Sequence, residues 1–360
     1  MRGRGATFNP ANRFEQLHYE SQEAWDGRPA RLDFGEDGQD AHAALRPTTK
    51  FLRDESQSII SYNDSPDVGF NASLNPYRGC EHGCAYCYAR PTHEYLGFSA
   101  GLDFESKILV KLRAAELLRG ELSSKGWKPQ VLNLSGVTDC YQPIERKLEI
   151  TRSCLQVLAE FRNPAFVVTK NRLVVRDVDL LAELARFDAA GVAISITTLS
   201  PDLAQKLEPR ASLPQARLDA VARLREAGIL VGVMAAPIIP GLNDHEIPRI
   251  LSATAKAGGQ FASYTIVRMP LSVAPIFCDW LAAHFPDRKE KILGRIRSMR
   301  QGKLNSSEFG RRMRGEGFLA EQIHRIFEVS SRRYGLDRIS RQLSSAAFRR
   351  VQRNQPELGL

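Results

Sequence analysis

The stretch of sequence that decides the fold reads Ser73-Leu-Asn-Pro-Tyr-Arg-Gly-Cys80-Glu-His-Gly-Cys84-Ala-Tyr-Cys87. It opens with a short run that predicts a buried strand, and three cysteines spaced C-x3-C-x2-C follow this strand directly. Barrel folds place their chemistry on such loops, at the carboxyl ends of parallel strands. Three thiolates can ligate three irons of a [4Fe–4S] cluster and leave the fourth iron open.

A zinc knuckle is the structural alternative for these cysteines. Structural zinc takes four protein ligands, and no fourth cysteine has a matching spacing, so that His82 and His93 are the nearby substitutes. The chain has six cysteines in 360 residues, and three of them fall within eight positions. That distribution does not indicate a disulfide framework, and in a reducing compartment it favours metal or redox chemistry.

The composition is that of a water-soluble globular protein, with 43% hydrophobic and 25% charged residues. No run of eighteen apolar residues occurs, and the first residues lack the apolar core of a signal peptide. We therefore expect a cytoplasmic protein without a membrane partner.

Alternating strand and helix patterns begin near residue 71 and predict the fold class. The predicted strands are Ser73–Tyr77, Val131–Gly136, Phe166–Thr169, Ala193–Leu199, Leu230–Pro237 and Ser263–Arg268. The predicted helices between them are Ser106–Leu122, Glu145–Phe161, Asp177–Ala189, Pro214–Ala227 and Asp244–Ala257. Gly191 and Gly228 fall where helix C-caps belong. Six βα units with right-handed crossovers predict an α/β protein, a partial (β/α)6 TIM-like barrel.

Three segments are expected along the chain. Residues 1–70 predict an irregular N-terminal extension that wraps on the main domain or covers its mouth, and residues 71–285 form the (β/α)6 core. Residues 286–360 predict a basic, helical C-terminal extension, with helices at Lys289–Gln301 and Leu319–Tyr334 and a final stretch of about twenty residues that frays. This last segment carries 18 Lys and Arg against 8 Asp and Glu. Such a face attracts phosphate backbones, or it is a solvated helix surface.

The cysteine spacing, with Tyr86 before the last cysteine, resembles the radical S-adenosylmethionine (SAM) superfamily. The resemblance implies a [4Fe–4S] cluster on Cys80, Cys84 and Cys87, and SAM chelated to the open iron. An electron from the cluster then cleaves SAM to methionine and a 5′-deoxyadenosyl radical, which abstracts hydrogen from a substrate. A reductant such as flavodoxin or ferredoxin is implied as a partner.

The resemblance also implies residues that contact SAM. The first is Tyr86 on the cysteine loop, and the others lie at the ends of later strands. Residues 135–139 occupy the place of the family's Gly-Gly-Glu segment, which makes Gly136 and Thr138 contacts for the SAM ammonium. Ser195 and Thr197 give one face of the fourth strand a polar character. They bind the ribose hydroxyls, or they are satisfied by local backbone.

Two further contacts are expected later in the chain. Arg210 follows the fourth strand and pairs with the SAM carboxylate, or with a neighbouring acid. Pro237-Ile-Ile-Pro-Gly-Leu-Asn-Asp244 resembles the family's adenine-side motif, which makes Ile239 the adenine contact. The alternative is an ordinary turn in which Asn243 or Asp244 caps the next helix.

Several segments are similar to a narrower group, the DNA repair photolyase-like proteins related to spore photoproduct lyase. These segments are Asn75–Cys80, Tyr88–Pro91, Thr138–Pro143 and Thr169–Asp177. Repair by hydrogen abstraction requires a hydrogen donor, a cysteine in that family, and Cys140 is the tentative donor here. The alternative for Cys140 is a small buried residue.

Lys170, Arg172 and Arg268 are expected to make the pocket cationic, which suits a phosphate or a carboxylate. Three hypotheses follow. The first is a radical SAM enzyme acting on nucleic acid, with the basic C-terminal segment on the phosphates. The second is a radical SAM enzyme that modifies a protein or a small metabolite. The third is a metal–cysteine protein that binds nucleic acid without SAM chemistry.

Overall fold

The computed structural model describes residues 3–14, 48–337 and 342–351. Ten strands are present in these ranges. They are β1 (Lys50–Arg53), β2 (Ile60–Tyr62), β3 (Ala72–Leu74), β4 (Tyr77–Arg78), β5 (Lys107–Val110), β6 (Leu132–Leu134), β7 (Ala165–Thr169), β8 (Ala190–Ser195), β9 (Leu230–Ile238) and β10 (Ala262–Ile266).

Eleven α-helices accompany the strands in the same ranges. They are α1 (Leu102–Ser106), α2 (Ala114–Ser123), α3 (Glu145–Leu148), α4 (Ile150–Phe161), α5 (Val178–Ala185), α6 (Pro201–Leu207), α7 (Pro214–Glu226), α8 (Ile247–Lys256), α9 (Val273–His284), α10 (Lys289–Ser298) and α11 (Phe318–Arg333). None of them is long and apolar enough to cross a membrane.

The main sheet has seven strands in the order β10-β9-β8-β7-β6-β3-β2. Six of them run parallel, and β2 adds antiparallel to β3 at one edge. The parallel strands are continuous apolar runs because both faces are covered, and all six residues of β8 are buried. Strands β2 and β10 form the two open edges. The six predicted strands and the partial barrel of the α/β class are therefore confirmed.

A second, smaller sheet fixes the approach to the cysteine loop. Its order is β1-β5-β4, with β1 parallel and β4 antiparallel to β5. Because β4 lies immediately before Cys80, pairing with β5 holds the start of the loop against the body of the protein.

Two sequence-based predictions of secondary structure were wrong in detail, and a third agrees with the structure. The predicted helix Ser106–Leu122 contains strand β5, since Lys107-Ile-Leu-Val110 pairs with β1 before helix α2 begins. Gly191 is not a helix cap, because α5 already ends at Ala185 and Gly191 lies inside β8 against the ring of Phe166. Gly228 does adopt the left-handed conformation, with φ of 78° after α7.

The ends of the chain are more ordered than expected where the structure describes them. Residues 48–70, placed in the irregular extension, supply β1 and β2. Residues 342–351, expected to fray, pack under the barrel, where the Arg349 N–H donates to the Phe161 carbonyl at 2.9 Å. Residues 1–2 and 15–47 of the predicted N-terminal extension, and residues 338–341 and 352–360, lie outside the described residues.

Candidate active site

The cysteine loop follows β3 and β4 at the carboxyl end of the parallel sheet. The Cys80 N–H donates to the carbonyl oxygen of Phe104 at 2.9 Å. Gln142, from the connection after β6, clamps the loop from the other side. Its side-chain oxygen accepts from the Glu81 N–H at 2.9 Å, and its amide nitrogen donates to the Gly79 carbonyl at 3.2 Å. The loop is therefore held by two neighbouring elements before any cofactor is considered.

The three thiols of this loop are free and share one environment. Cys80 and Cys84 are buried and Cys87 is half-buried. Burial raises the pKa of the Cys80 thiol, and Cys84 and Cys87 raise it further, so the three sulfurs interact electrostatically. Burial also raises the pKa of Cys87, while the cations Arg90 and Lys170 oppose this shift. Negative charge on the thiols would thus be offset by two nearby cations.

The donor set fits a cluster better than a zinc ion. Within the described ranges, no three Cys, His, Asp or Glu side chains are arranged to hold a single metal ion. A four-iron cluster has a different requirement, because each thiolate binds a different iron and the sulfurs lie farther apart. His82, one substitute zinc ligand, already pairs with Asp139 at 3.3 Å and lies 3.4 Å from the amide nitrogen of Asn171. The other, His93, packs edge-on against the ring of Phe104.

Residues 3–14, here called the N-terminal strap, pack directly on the cysteine loop. The buried carboxylate of Glu105 accepts from the backbone N–H groups of Gly5 at 3.0 Å and Ala6 at 2.8 Å. A Cβ atom on Gly5 would lie 1.7 Å from the Gly83 carbonyl oxygen, so only glycine permits this approach. Gly83 itself has φ of 65°, and its own Cβ would lie 2.8 Å from Glu105.

Arg90 links the same carboxylate to the loop backbone. Its guanidinium forms an ion pair with Glu105 and donates to the Cys84 carbonyl at 3.0 and 2.9 Å. Both side chains are fully buried. Because each charge satisfies the other and the spare donors reach backbone carbonyls, the pair positions Cys84 without leaving an isolated buried charge.

A second buried carboxylate, Glu208, organises the floor of the site. It forms an ion pair with Arg217, lies 3.6 Å from the Lys170 ammonium, and accepts hydrogen bonds from the hydroxyls of Tyr86 and Thr197. Burial alone would raise the pKa of Glu208, but Arg217, Lys170 and the two hydroxyls outweigh it and lower the pKa to about 2. Glu208 therefore connects the cysteine loop, β7, the end of β8 and α7.

Residues 135–139 follow β6, as the sequence predicted. The two predicted SAM contacts in this segment differ in whether their polar groups already have partners in the protein. The carbonyl of Gly136 accepts from the Tyr88 hydroxyl at 2.9 Å, which places Gly136 beside the end of the cysteine loop. Thr138 is buried, and its hydroxyl already donates to the Tyr77 carbonyl at 2.8 Å.

The two predicted ribose contacts at the end of β8 also differ. Ser195 is buried, and its hydroxyl forms no hydrogen bond with the described part of the chain. The hydroxyl of Thr197 lies 2.5 Å from Glu208, 3.0 Å from the Ala236 carbonyl and 3.2 Å from the Tyr86 hydroxyl. Tyr86 and Thr197 thus belong to the Glu208 network, whereas the Ser195 hydroxyl has unused hydrogen-bonding capacity.

The remaining two predicted contacts already have protein partners. Arg210 donates to Glu81 at 3.0 Å and to Thr49 at 3.2 Å, which corresponds to the alternative of a neighbouring acid. Ile239 is fully buried in the core, and its backbone N–H donates to the Asn243 side chain at 2.6 Å, while Asn243 forms no side-chain capping bond to the helical turn that follows.

Cys140 lies in the apolar core beneath the site. It is fully buried, its N–H donates to the Ser135 hydroxyl at 2.8 Å, and its carbonyl accepts from Thr151 at 2.6 Å. Burial raises the pKa of its thiol, and the acids that raise it further are Asp139, Glu145 and Asp177. These contacts correspond to the small buried residue of the sequence analysis.

Sequence reasoning gave no role to Glu105 or Arg90 and did not connect Glu208 with Tyr86. The available signals were an Arg three residues after the last loop cysteine and an acid beside Pro209. Neither signal names a partner, because Arg90 and Glu105 are 15 positions apart and Tyr86 and Glu208 are 122 positions apart.

Comparison with known proteins identifies the family. The sequence pattern of the Radical SAM superfamily matches residues 74–253, half of the chain. The chain belongs to the radical SAM superfamily. Membership implies a [4Fe–4S] cluster and SAM as cofactors, and the matched residues span the cysteine loop and the strand ends described above.

Relatives of this radical SAM protein agree with that assignment. An uncharacterized protein of Mycobacterium tuberculosis is 36% identical over 220 residues, which are 61% of this chain and 65% of the relative. The match thus spans somewhat less than two thirds of the relative's length. A radical SAM Nalpha-GlyT isomerase of Pseudomonas phage M6 is 28% identical over 60% of this chain and 43% of its own.

Among solved structures, spore photoproduct lyase complexed with dinucleoside spore photoproduct is similar in fold. The TM-score is 0.56 with 15% sequence identity, over 79% of each chain. At this identity the likeness shows the fold.

Proposed function

We propose that this radical SAM protein cleaves SAM reductively at a [4Fe–4S] cluster held by Cys80, Cys84 and Cys87, with residues 71–285 as the catalytic core. When bound, the cluster and SAM together supply a 5′-deoxyadenosyl radical that abstracts hydrogen from a substrate. The observation that carries the proposal is the set of three free thiols on the loop after β3 and β4, at the mouth of a partial barrel.

The chain's own residues prepare this loop for a charged group. The thiols must lose their protons to ligate iron, and burial opposes that loss. Arg90 and Lys170 oppose the rise in the pKa of Cys87 that burial causes, whereas at Cys84 burial and the Glu208 carboxylate raise the pKa and outweigh Lys170. The Glu105 and Glu208 networks hold these cations in place.

For SAM, the strongest support among the predicted contacts belongs to Ser195 and Gly136. Ser195 offers a hydroxyl without a hydrogen-bond partner in the described ranges, and Gly136 lies beside the end of the cysteine loop. Tyr86, Thr138 and Thr197 shape the site from fixed hydrogen bonds. Two further predicted contacts, Arg210 and Ile239, are retained in the proposal on the family resemblance. Arg210 would exchange Glu81 for the SAM carboxylate.

We place nucleic acid first as substrate class, because the fold is similar to that of a lyase solved with a dinucleoside photoproduct. A reductant is needed by radical SAM enzymes generally, and a flavodoxin or ferredoxin would serve as the donor. The C-terminal basic segment adds less support than its charge suggests. Arg300, Arg349 and Arg350 donate to backbone carbonyls and stabilise the fold.

The test is anaerobic reconstitution with iron and sulfide, followed by dithionite and SAM. Wild-type protein should bind about four irons per chain and release 5′-deoxyadenosine. Cys84→Ala should lose the cluster absorbance and the product, while Cys278→Ala, a half-buried thiol on α9, should retain both. Absence of 5′-deoxyadenosine from loaded wild-type protein would overturn the proposal and favour a binding role without SAM chemistry.

Cys140→Ala separates the two interpretations of that residue. A hydrogen donor requires that the variant still cleave SAM and yield less repaired product. If Cys140 is instead a buried core residue, the variant should lose stability and keep an unchanged product yield. The second outcome would remove Cys140 from the proposed mechanism and leave the rest intact.

A further inference from the structure

The two open edges of the partial barrel are joined by a polar contact, here called the edge clasp. Its residues are Ser65 and Asp67, from the connection between β2 and β3, and Gly310 and Arg312, from the segment after α10. Asp67 accepts from the Gly310 N–H at 2.6 Å and pairs with Arg312 at 2.5 Å. Beside it, the Met313 carbonyl accepts from the Ile266 N–H at the end of β10. The clasp therefore bounds the side of the mouth that the sheet leaves open.

Arg268 lies two residues beyond the end of β10, next to the edge clasp, and has few hydrogen-bonding partners. Its guanidinium stands 5.6 Å from the centre of the Tyr88 ring, and Nη1 lies 3.6 Å from the Met313 sulfur. Its Nε is buried without a hydrogen-bond partner. No carboxylate in the described ranges lies within ion-pair distance of it. A guanidinium has five N–H donors, and a thioether is a weak acceptor, so most of its capacity is unused.

The neighbours of Arg268 are also cationic. Arg300 is buried, with its own Nε unpartnered, and Arg312 is engaged by Asp67. Burial and Arg312 lower the pKa of Arg268, and burial and Arg268 lower the pKa of Arg300 to about 10. Asp67 pairs with Arg312, and in the described ranges neither Arg268 nor Arg300 forms an ion pair with a carboxylate. Arg300 is buried and Arg268 is half-buried, and a cation removed from water without a matching anion is costly unless a ligand supplies the missing charge.

Tyr88 connects this cationic group to the reaction site. It directly follows Cys87, its hydroxyl donates to Gly136, and its ring is half exposed at the mouth. An anion bound at Arg268 would therefore lie next to the end of the cysteine loop. The fork of a guanidinium matches tetrahedral oxyanions through paired hydrogen bonds, and several arginines together favour phosphate over a singly charged carboxylate.

We propose that Arg268, flanked by Arg312, is a subsite for a phosphate group of the substrate at the open side of the barrel. This inference rests on the proposed function, since it assigns the substrate of the same site a phosphate. The cation–π contact with Tyr88 uses the face of the guanidinium and leaves its N–H donors available to an anion.

The test is titration of inorganic phosphate into the protein at constant ionic strength, followed by calorimetry or by phosphorus NMR line width. Wild-type protein should bind phosphate, and Arg268→Gln should weaken binding at least about tenfold, or ~1.4 kcal/mol. Arg268→Lys should be intermediate, because an ammonium is a point charge without the fork. Arg223→Gln, an exposed arginine on α7 paired with Glu226, is the matched control and should bind like wild type. Equal binding by wild type and Arg268→Gln, or no binding by either, overturns the inference.

Two further measurements separate the outcomes. A thymidine dinucleotide with one phosphodiester tests the source of the phosphate. Binding that depends on Arg268 supports nucleic acid, and binding of phosphate monoesters alone supports a small metabolite. Formation of 5′-deoxyadenosine by wild-type protein tests the proposed function separately. If SAM is cleaved and phosphate does not bind, the subsite is wrong and the proposed function stands. If phosphate binds through Arg268 and SAM is not cleaved, the proposed function fails and the anion site remains.

Discussion

At the scale of single residues, Glu208 carries the clearest energetic consequence. Glu208→Gln would leave the buried guanidinium of Arg217 without its counter-charge. Losing one partner of a buried ion pair costs about 3–5 kcal/mol. Urea unfolding should report that loss, whereas Glu226→Gln, in an exposed pair with Arg223, should change stability by less than about 1 kcal/mol. Similar losses for both variants would contradict the assigned role of Glu208.

The same residue predicts a dependence of stability on pH. The pKa of Glu208 is lowered in the folded protein from 4.5 to about 2. Its carboxylate therefore contributes fully to stability above the unfolded pKa, and the contribution is lost as the pH falls through the folded pKa. The difference in unfolding free energy between wild type and Glu208→Gln should shrink as the pH is lowered from about 5 to about 2.5. A difference that stays constant across this range would argue against a depressed pKa.

Residue-level prediction from sequence succeeded where neighbours in the chain are neighbours in space. The three cysteines of the loop lie within eight positions of one another, so their spacing alone predicted a shared site. Arg210 and Thr197 were predicted as site residues from their place in or after the fourth predicted strand, but their partners Glu81 and Tyr86 come from more than a hundred positions away. Pairings of that kind are set by tertiary packing, which a single sequence does not display.

At the scale of elements, the N-terminal strap predicts a steric dependence of the cysteine loop. Gly5→Ala should separate the strap from Gly83, because the added Cβ would overlap the Gly83 carbonyl oxygen. Hydrogen exchange of the amides at positions 83–90 should accelerate. Gly294→Ala, in α10 where a Cβ meets nothing within 4 Å, is the control and should leave this exchange unchanged. Unchanged exchange in Gly5→Ala would mean that the strap does not secure the loop.

Element prediction worked best for strands buried on both faces. Continuous apolar runs marked all six parallel strands, although β8 begins three residues earlier than predicted because Gly191 belongs to it. Strands β1, β2 and β5 were not predicted, because they are short and lie in the smaller sheet or at an edge of the main sheet. The four residues of β1 are all exposed, so no alternation of buried and exposed residues predicts a strand there.

At the scale of the whole molecule, the C-terminal residues form part of the barrel's support. Phe348 packs 6.3 Å from Phe161, centroid to centroid, on the side opposite the cysteine loop. Phe348→Ala should cost about 2 kcal/mol of unfolding free energy, less than the 3–5 kcal/mol of a fully buried phenylalanine. Val329→Ala, exposed on α11, should cost far less. Equal stability of the two variants would mean that residues 342–351 do not stabilise the barrel.

The N-terminal strap also sets an order of events during synthesis. Gly5 and Ala6 leave the ribosome about a hundred residues ahead of Glu105, the carboxylate that receives them. The strap therefore cannot dock until the cysteines and α1 have both emerged. Docking of the strap therefore depends on a contact about a hundred residues apart in sequence, which makes it a late step in the folding of this region.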